Sequence, residues 1–368
     1  MSSSDLPRHP RRPSSLETEK AMKRSTTALL SLAASSALVL AGCSQPVLEV
    51  ADPQSAMQSG AQSGAQSGST NADLSLTLTE DQVKRIVADI QADLDASVEE
   101  DDTSILEERV VDPALTLRKG QFVRAEKTDT EIPGLTINQE VFSATVGDSW
   151  PRVLLVASNA SGDQPAEVYF ITQQSARDQY KLENWTRLVG GTSVRGVGIR
   201  DGSKVLEADA EGLIMTPQET LTTYVNHLNS PDNEEYALFE DNVFGPRYAE
   251  ELTKVNEAVQ VAGSVTASAA VGDYPIVGVS LDTEQSLVSA AFTYSMKYSR
   301  TVPGSTLEMA GTPAAYLEDK NVIGSVTVNY LVSIFFVVPP QGSDEKVSIV
   351  GSERVITSVD RDDTEPAG

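Results

Sequence analysis

The sequence predicts an α+β protein in which helices come first and antiparallel strands second, and in which this order occurs twice. Two observations carry the prediction. Apolar residues spaced three and four apart give way, in each half, to a run of apolar segments with no helix between them. Helices followed by a succession of strands indicate α+β rather than α/β. The order of signals in the first half also recurs in the second, as a diverged internal duplication would leave it.

In the first half Thr79 is placed to cap a helix, with Glu80 and Asp81 in the first turn where the helix dipole favours negative charge. Val83, Ile86, Val87, Ile90 and Leu94 then follow on one helical face. An acidic bend at residues 99–102 leads to a short helix around Ile105 and Leu106, then to Val110-Val111-Asp112-Pro113 and a third segment from Ala114 to Phe122. In the second half Thr216 precedes Pro217, a cap followed by proline at the first helical position. Leu221, Tyr224, Val225 and Leu228 repeat the apolar face. A short helix with Tyr236, Leu238 and Phe239 comes next, and Val243-Phe244-Gly245-Pro246 leads into a third segment from Tyr248.

Strands are expected at 135–145, 152–159, 167–173, 180–189 and 192–197 in the first half. In the second they are expected at 264–270, 276–281, 287–298, 322–338 and 346–360. The run Ile334-Phe335-Phe336-Val337-Val338 is continuous rather than alternating, which predicts a central strand covered on both faces. Residues 73–198 and 213–360 are therefore read as two domains, 199–212 as the connection between them and 361–368 as an acidic tail.

Ahead of the domains the chain reads as a leader and a tether. Met22-Lys23-Arg24 opens a short basic region, residues 28–40 are apolar apart from serine and threonine-sized interruptions, and Leu40-Ala41-Gly42-Cys43 follows. Such a run is a secretory signal and is shorter than the roughly 18–20 apolar residues that span a bilayer. The tetrapeptide resembles the bacterial lipobox, which implies cleavage before Cys43 and diacylglycerol on its thiol. Two acyl chains give stable attachment where one is marginal. Residues 1–42 are thus read as a signal peptide. Within it, residues 1–21 are either an extended basic region or sequence upstream of a true start at Met22, the second being preferred. Residues 43–72, with Gln-Ser-Gly at 58–60, 62–64 and 66–68, read as the lipidated cysteine and a flexible linker of roughly 30 Å mean reach.

The net charge is −25. Without residues 1–42, which hold six Lys/Arg and three Asp/Glu, 22 basic and 50 acidic side chains remain, a net −28. Such a chain repels phosphate backbones, so nucleic acid is not an expected partner. Cys43 is the single cysteine, which excludes an intramolecular disulfide.

A long helix, a short one, a third segment and a curved antiparallel sheet together resemble the cone-shaped fold of the nuclear-transport-factor and ketosteroid-isomerase superfamily. Tyr180-Lys181-Leu182-Glu183-Asn184-Trp185-Thr186-Arg187-Leu188 is similar to the sheet-centre strand of such domains. The resemblance implies two tandem cones, each with N-terminal helices packed on a curved antiparallel sheet. Lipobox, spacer and paired domains resemble envelope lipoproteins of actinobacteria whose function is unknown. Neither resemblance implies an activity, since function resides in sites rather than folds.

Chemistry-bearing residues are sparse. His227 is the one histidine after residue 42, near a helix C-terminus that favours its charged form, and it has no second histidine or cysteine with which to build a zinc site. Gly196-Val197-Gly198-Ile199-Arg200-Asp201-Gly202 lacks phosphate-loop spacing and reads as a turn. Asp101-Asp102 and residues 360–365 read as solvated charge. No catalytic residue, metal or cofactor is expected. Tyr224 and Trp185 are the residues first expected to face a cone cavity, with core packing as the competing role. The expectation is a lipid-anchored envelope protein on the extracytoplasmic face of the cell membrane, non-catalytic, binding or scaffolding an envelope partner. The alternative is a small-molecule or isomerase-like pocket inside one cone.

Overall fold

Threonine hydroxyls open the first helix of each half. The computed structural model describes residues 47–50, 78–137, 141–147, 150–160, 165–197 and 201–364. The chain divides into Met1–Gly42 and Cys43–Gly368, and only the second unit contains described residues. The segment read as a leader and Leu40 to Cys43 lie outside them, as do residues 51–72 of the segment read as a linker.

Helix α1 spans Glu80–Glu99 and α3 Pro217–Asn229. Each begins with a reciprocal capping box. The Thr79 hydroxyl accepts from the Gln82 amide while the Gln82 side chain accepts from the Thr79 amide, and Thr216 and Glu219 repeat the arrangement. Two orphan amides are satisfied at each start, which fixes where the helix begins. A 3₁₀ turn follows in both halves, at Thr103–Glu108 and Glu234–Leu238. The next helices are α2, Ala114–Thr128, and α4, Phe244–Val259. The repeated order of elements is therefore present.

The first half then forms a four-stranded antiparallel sheet of β2 (Val141–Ala144), β3 (Arg152–Ser158), β4 (Glu167–Gln173) and β5 (Lys181–Arg187), paired in that order. The Trp185 strand, expected at the sheet centre, is the last of the four. Its outer edge is closed by other backbone: the Leu182 amide donates to the Arg109 carbonyl at 2.8 Å, and Leu188 bridges to Gly351. An extra residue at Glu183, between the Phe170–Asn184 and Ile171–Leu182 pairs, bulges and bends this strand.

The second half forms a six-stranded sheet from β7 (Val205–Leu206), β8 (Gly263–Val271), β9 (Val277–Ser280), β10 (Ser286–Arg300), β13 (Ser325–Val338) and β14 (Ser348–Asp362). β9 and β8 lie along the same edge of β10. Two register shifts between β13 and β14, at Asn329/Tyr330 and Phe335/Phe336, curve the far side. Residues 322–338 were expected as one strand, but Ile323-Gly324 separates β12 (Asn321–Val322) from β13. β12 turns away to pair with β11 (Leu307–Glu308), and the short helix α5, Gly311–Ala314, lies between them in sequence.

Two segments read as connections contribute strands. Val205 and Leu206 supply apolar side chains beside Val279 and so extend the second sheet as β7. Val47–Val50, inside the segment read as linker, is β1 and pairs in parallel with β6 (Ser193–Gly196). Only Ser44, Gln45 and Pro46 separate β1 from Cys43, so the Gln-Ser-Gly repeats fall between β1 and α1.

The two halves share their core. Along β10 and β13 the even-numbered side chains, Phe292, Tyr294, Tyr330 and Phe336 among them, pack under α3 and α4. Leu287, Phe335 and Val337 point the other way and join Val153, Leu155, Val168 and Phe170 of the first sheet. β13 is thus covered on both faces, as the unbroken apolar run requires. Two glycines permit the closest approaches. A Cβ on Gly120 of α2 would stand 2.7 Å from Val355 Cγ2, and one on Gly351 would stand 2.6 Å from the Arg187 carbonyl oxygen. Helix α2 thereby covers the edge strand β14, which would otherwise offer unpaired backbone. No helix of the described residues is long and apolar enough to cross a membrane.

Candidate functional site

Tyr224 lies on α3 and Trp185 on β5, and both are fully buried. Tyr224 sits among Tyr236, Phe239, Phe292 and Phe336, with ring centroids 5.7–6.2 Å away, and its hydroxyl donates to Asn242 Oδ1 at 3.4 Å. Trp185 belongs to the separate core of the first half. The two fall in different buried clusters, so the structure does not bring them together. Cys43 and its preceding residues lie outside the described residues.

His227 departs from its expected charge. Its ring stacks on Tyr236 at 3.4 Å between centroids, and burial lowers its pKa below the ordinary value despite the opposing Pro231 carbonyl. Desolvation disfavours the charged imidazolium, and here it is the larger of the two effects. His227, Tyr236, Asn242 and Tyr248 line a hollow of about 800 Å³ between α3, α4 and β8. Asp102, read as solvated charge, caps the first 3₁₀ turn by accepting from the Ser104 amide at 2.8 Å, which lowers its pKa.

Buried charge collects where the halves meet. Arg187 on β5 pairs with Glu167 at 3.3 Å and with Glu353 on β14 at 2.8 Å, while the Tyr169 hydroxyl donates to Glu167. Burial raises the pKa of both carboxyls, and Arg187 opposes it. Arg118 on α2 is buried nearby, donating to Gln121 at 2.7 Å and to the Pro133 carbonyl at 2.6 Å. Burial, reinforced by Arg187, brings its pKa down to about 10. Two cations face two carboxylates, and the set reads as a cross-tie between halves.

Glu183, at the bulge, has no cation beside it. Thr172 donates to it at 2.8 Å and Gln174 at 3.3 Å, yet burial still raises its pKa above the ordinary 4.5. Between the ordinary pKa and the raised one, the native chain therefore binds the proton more tightly than the unfolded chain does. This contribution to stability is full below pH 4.5 and is lost as the pH climbs through the raised value. Glu183→Gln keeps an acceptor for both donors and cannot ionise. It is expected to be more stable than the parent by about 1 kcal/mol at pH 8, the gap closing as the pH falls through 4.5. Urea midpoints across pH 4–8 check this, and a variant weaker than the parent at pH 8 would refute it.

A cleft opens beside the cross-tie, between α2 and α4 with β14 as its floor. Arg354 on β14 grips Glu251 on α4 with both terminal nitrogens, at 2.7 and 3.3 Å, and donates to the Tyr294 hydroxyl at 2.6 Å. Burial works against the charge on Arg354, but Glu251 and the tyrosines raise its pKa on balance. The pair borders two adjoining hollows. One, of about 290 Å³, is lined by Val255, Tyr298, Tyr330 and Pro313. The other, of about 400 Å³, is lined by Phe244, Arg247, Tyr248 and Ser352, and Arg124 reaches both. No sequence pattern marks this cleft, because its walls come from different halves. The one signal was local: Arg118, Lys119, Arg124 and Lys127 concentrate positive charge on α2 of an acidic chain.

Among the described residues no group of three or more His, Cys, Asp or Glu side chains is placed to hold a metal. The fold and its cleft define an α+β protein with helices packed on antiparallel sheets. Compared with protein families, curated proteins and solved structures, the chain matches none.

Proposed function

We propose that this chain is a lipid-anchored protein of the cell envelope, held on the extracytoplasmic face of the cell membrane through Cys43 and acting as a non-catalytic binding or scaffold module. The observation that carries the reading is the apolar run ending in Leu40-Ala41-Gly42-Cys43, with the chain's single cysteine where a lipid-accepting thiol has to stand. Each half is read as a cone, a reading supported by the repeated helix–turn–helix order and by bulges that curve the sheets. Sheet-to-sheet packing makes the pair a single stiff body, suited to presenting one surface to an envelope partner.

A second reading, a small-molecule pocket, is favoured by the hollow under His227 and Tyr236. Against it, Tyr224 and Trp185 fill the cores of both halves.

Metabolic labelling with a palmitate analogue tests the anchor. The parent is expected to carry label and to sediment with membranes, and Cys43→Ala to lose the label and leave the membrane fraction. An unlabelled parent found in the soluble fraction would remove the proposal. Cross-linking with mass spectrometry on the same cells identifies the neighbours.

A further inference from the structure

The cleft between α2 and α4 holds more positive charge than its ion pairs take up. In a chain of net charge −25, most arginines are expected to find carboxylates. Arg187, Arg354 and Arg361 do. Arg124 and Arg247 are exposed, line the same hollow of about 400 Å³ from opposite helices, and form no ion pair among the described residues. The carboxylates nearest to hand are already engaged. Glu251 is taken by Arg354, Glu353, which also feels Arg124, by Arg187, and Glu250, which feels Arg247, by Lys254 at 2.6 Å. Phe244 and Tyr248 add aromatic wall beside the two guanidinium groups.

We propose that this cleft binds a small ligand through an oxyanion, a carboxylate or phosphoryl group, held between Arg124 and Arg247 with the fixed Arg354 behind them. A guanidinium presents planar paired donors that match both oxyanions. Two of them converging on one hollow give a charge and a geometry that a neutral ligand would leave unsatisfied. The hollow's size falls within the range of small-molecule sites. The aromatic wall offers non-polar contact to whatever carries the anion. This deepens the binding-module reading by naming a ligand chemistry, and it is tested apart from the lipid anchor.

The experiment is calorimetric titration of the full chain, purified in non-ionic detergent from whichever cell fraction holds it, with inorganic phosphate and with citrate as separate probes at low and at physiological salt. Saturable binding of at least one probe is expected, weakening as salt is raised. Arg124→Ala/Arg247→Ala is expected to lose about 10-fold or more in affinity, and Lys127→Ala, on α2 but outside the cleft, to lose none. Both altered arginines are exposed, so an unchanged near-ultraviolet dichroism spectrum is expected to accompany the loss. Binding of phosphate alone assigns a phosphoryl group, and of citrate alone a carboxylate. Failure of both probes, or binding that survives the double substitution, overturns the proposal. Palmitate labelling reads the anchor independently, so the two failures are distinguishable.

Discussion

Phe335→Ala is expected to cost about 3–5 kcal/mol of unfolding free energy, the range for removing a buried phenylalanine. Phe335 has no exposed surface and meets Phe170 edge-on, with centroids 5.2 Å apart at 84°. It projects from the second sheet into the first, so its loss weakens the contact between halves as well as the core of either. Small domains hold only about 5–15 kcal/mol in all. The variant is therefore expected to unfold at a much lower urea concentration, with the fluorescence transition of Trp150 and Trp185, both in the first half, parting from the overall dichroism transition. Phe335→Leu preserves most of the volume and is expected to cost under about 1.5 kcal/mol. If the alanine variant stays within about 1 kcal/mol of the parent, the sheets do not depend on each other in this way.

Local signals located most elements because each rests on chemistry within a few residues. Thr79 and Thr216 are capped by side chains three positions on, and both helix starts follow from that alone. β4 runs over Glu167–Gln173, as its apolar content predicts. What could not be read depends on partners distant in sequence. Val205 and Leu206 are too few to signal a strand and become one because Val279 and Gly278 lie beside them. Gly324 ends one strand and begins another because Asp362 backbone crosses it, leaving no room for a side chain. Likewise β5 is similar to a central strand in composition, yet its outer edge is closed by the Arg109 carbonyl and by Gly351 instead of a fifth strand.

The functional residues divide along the same line. Leu40-Ala41-Gly42-Cys43 is contiguous, so its resemblance to a lipobox needs no fold to be recognised. The resemblance to a cone fold is what leads to the expectation that Tyr224 and Trp185 face a cavity, and buried aromatics serve a packed core as readily as a pocket. Arg124 and Arg247 sit on exposed helical faces, where arginine is ordinary. Only the packing of α2 against β14, with Gly120 admitting the strand, carries Arg124 to the hollow that Arg247 lines.

Asn184→Ala is expected to cost about 3 kcal/mol, a large effect for so small a truncation. The Asn184 amide donates to Ser289 Oγ at 2.9 Å and to the Ala290 carbonyl at 3.2 Å, and its oxygen accepts from Ser333 Oγ at 2.7 Å. Asn184, Ser289 and Ser333 are all buried, so a methyl group at position 184 takes a partner from Ser289 Oγ and from the Trp185 amide, which donates to the Asn184 oxygen at 3.0 Å, while Ser333 Oγ keeps the Trp185 carbonyl at 2.9 Å. The penalty belongs to the stranded partners rather than to the lost bonds. Asn184→Ala/Ser289→Ala/Ser333→Ala removes the two hydroxyl partners as well, and it is expected to recover part of the loss instead of adding to it. Asn184→Asp adds a check by charge. A carboxyl enclosed here has its pKa raised by burial, so this variant is expected to weaken further as the pH rises from 4 to 8. Urea unfolding of the Cys43–Gly368 unit measures all three. A triple variant less stable than Asn184→Ala would mean that the serines stabilise the sheet contact on their own, and that the asparagine does not hold the two halves in register.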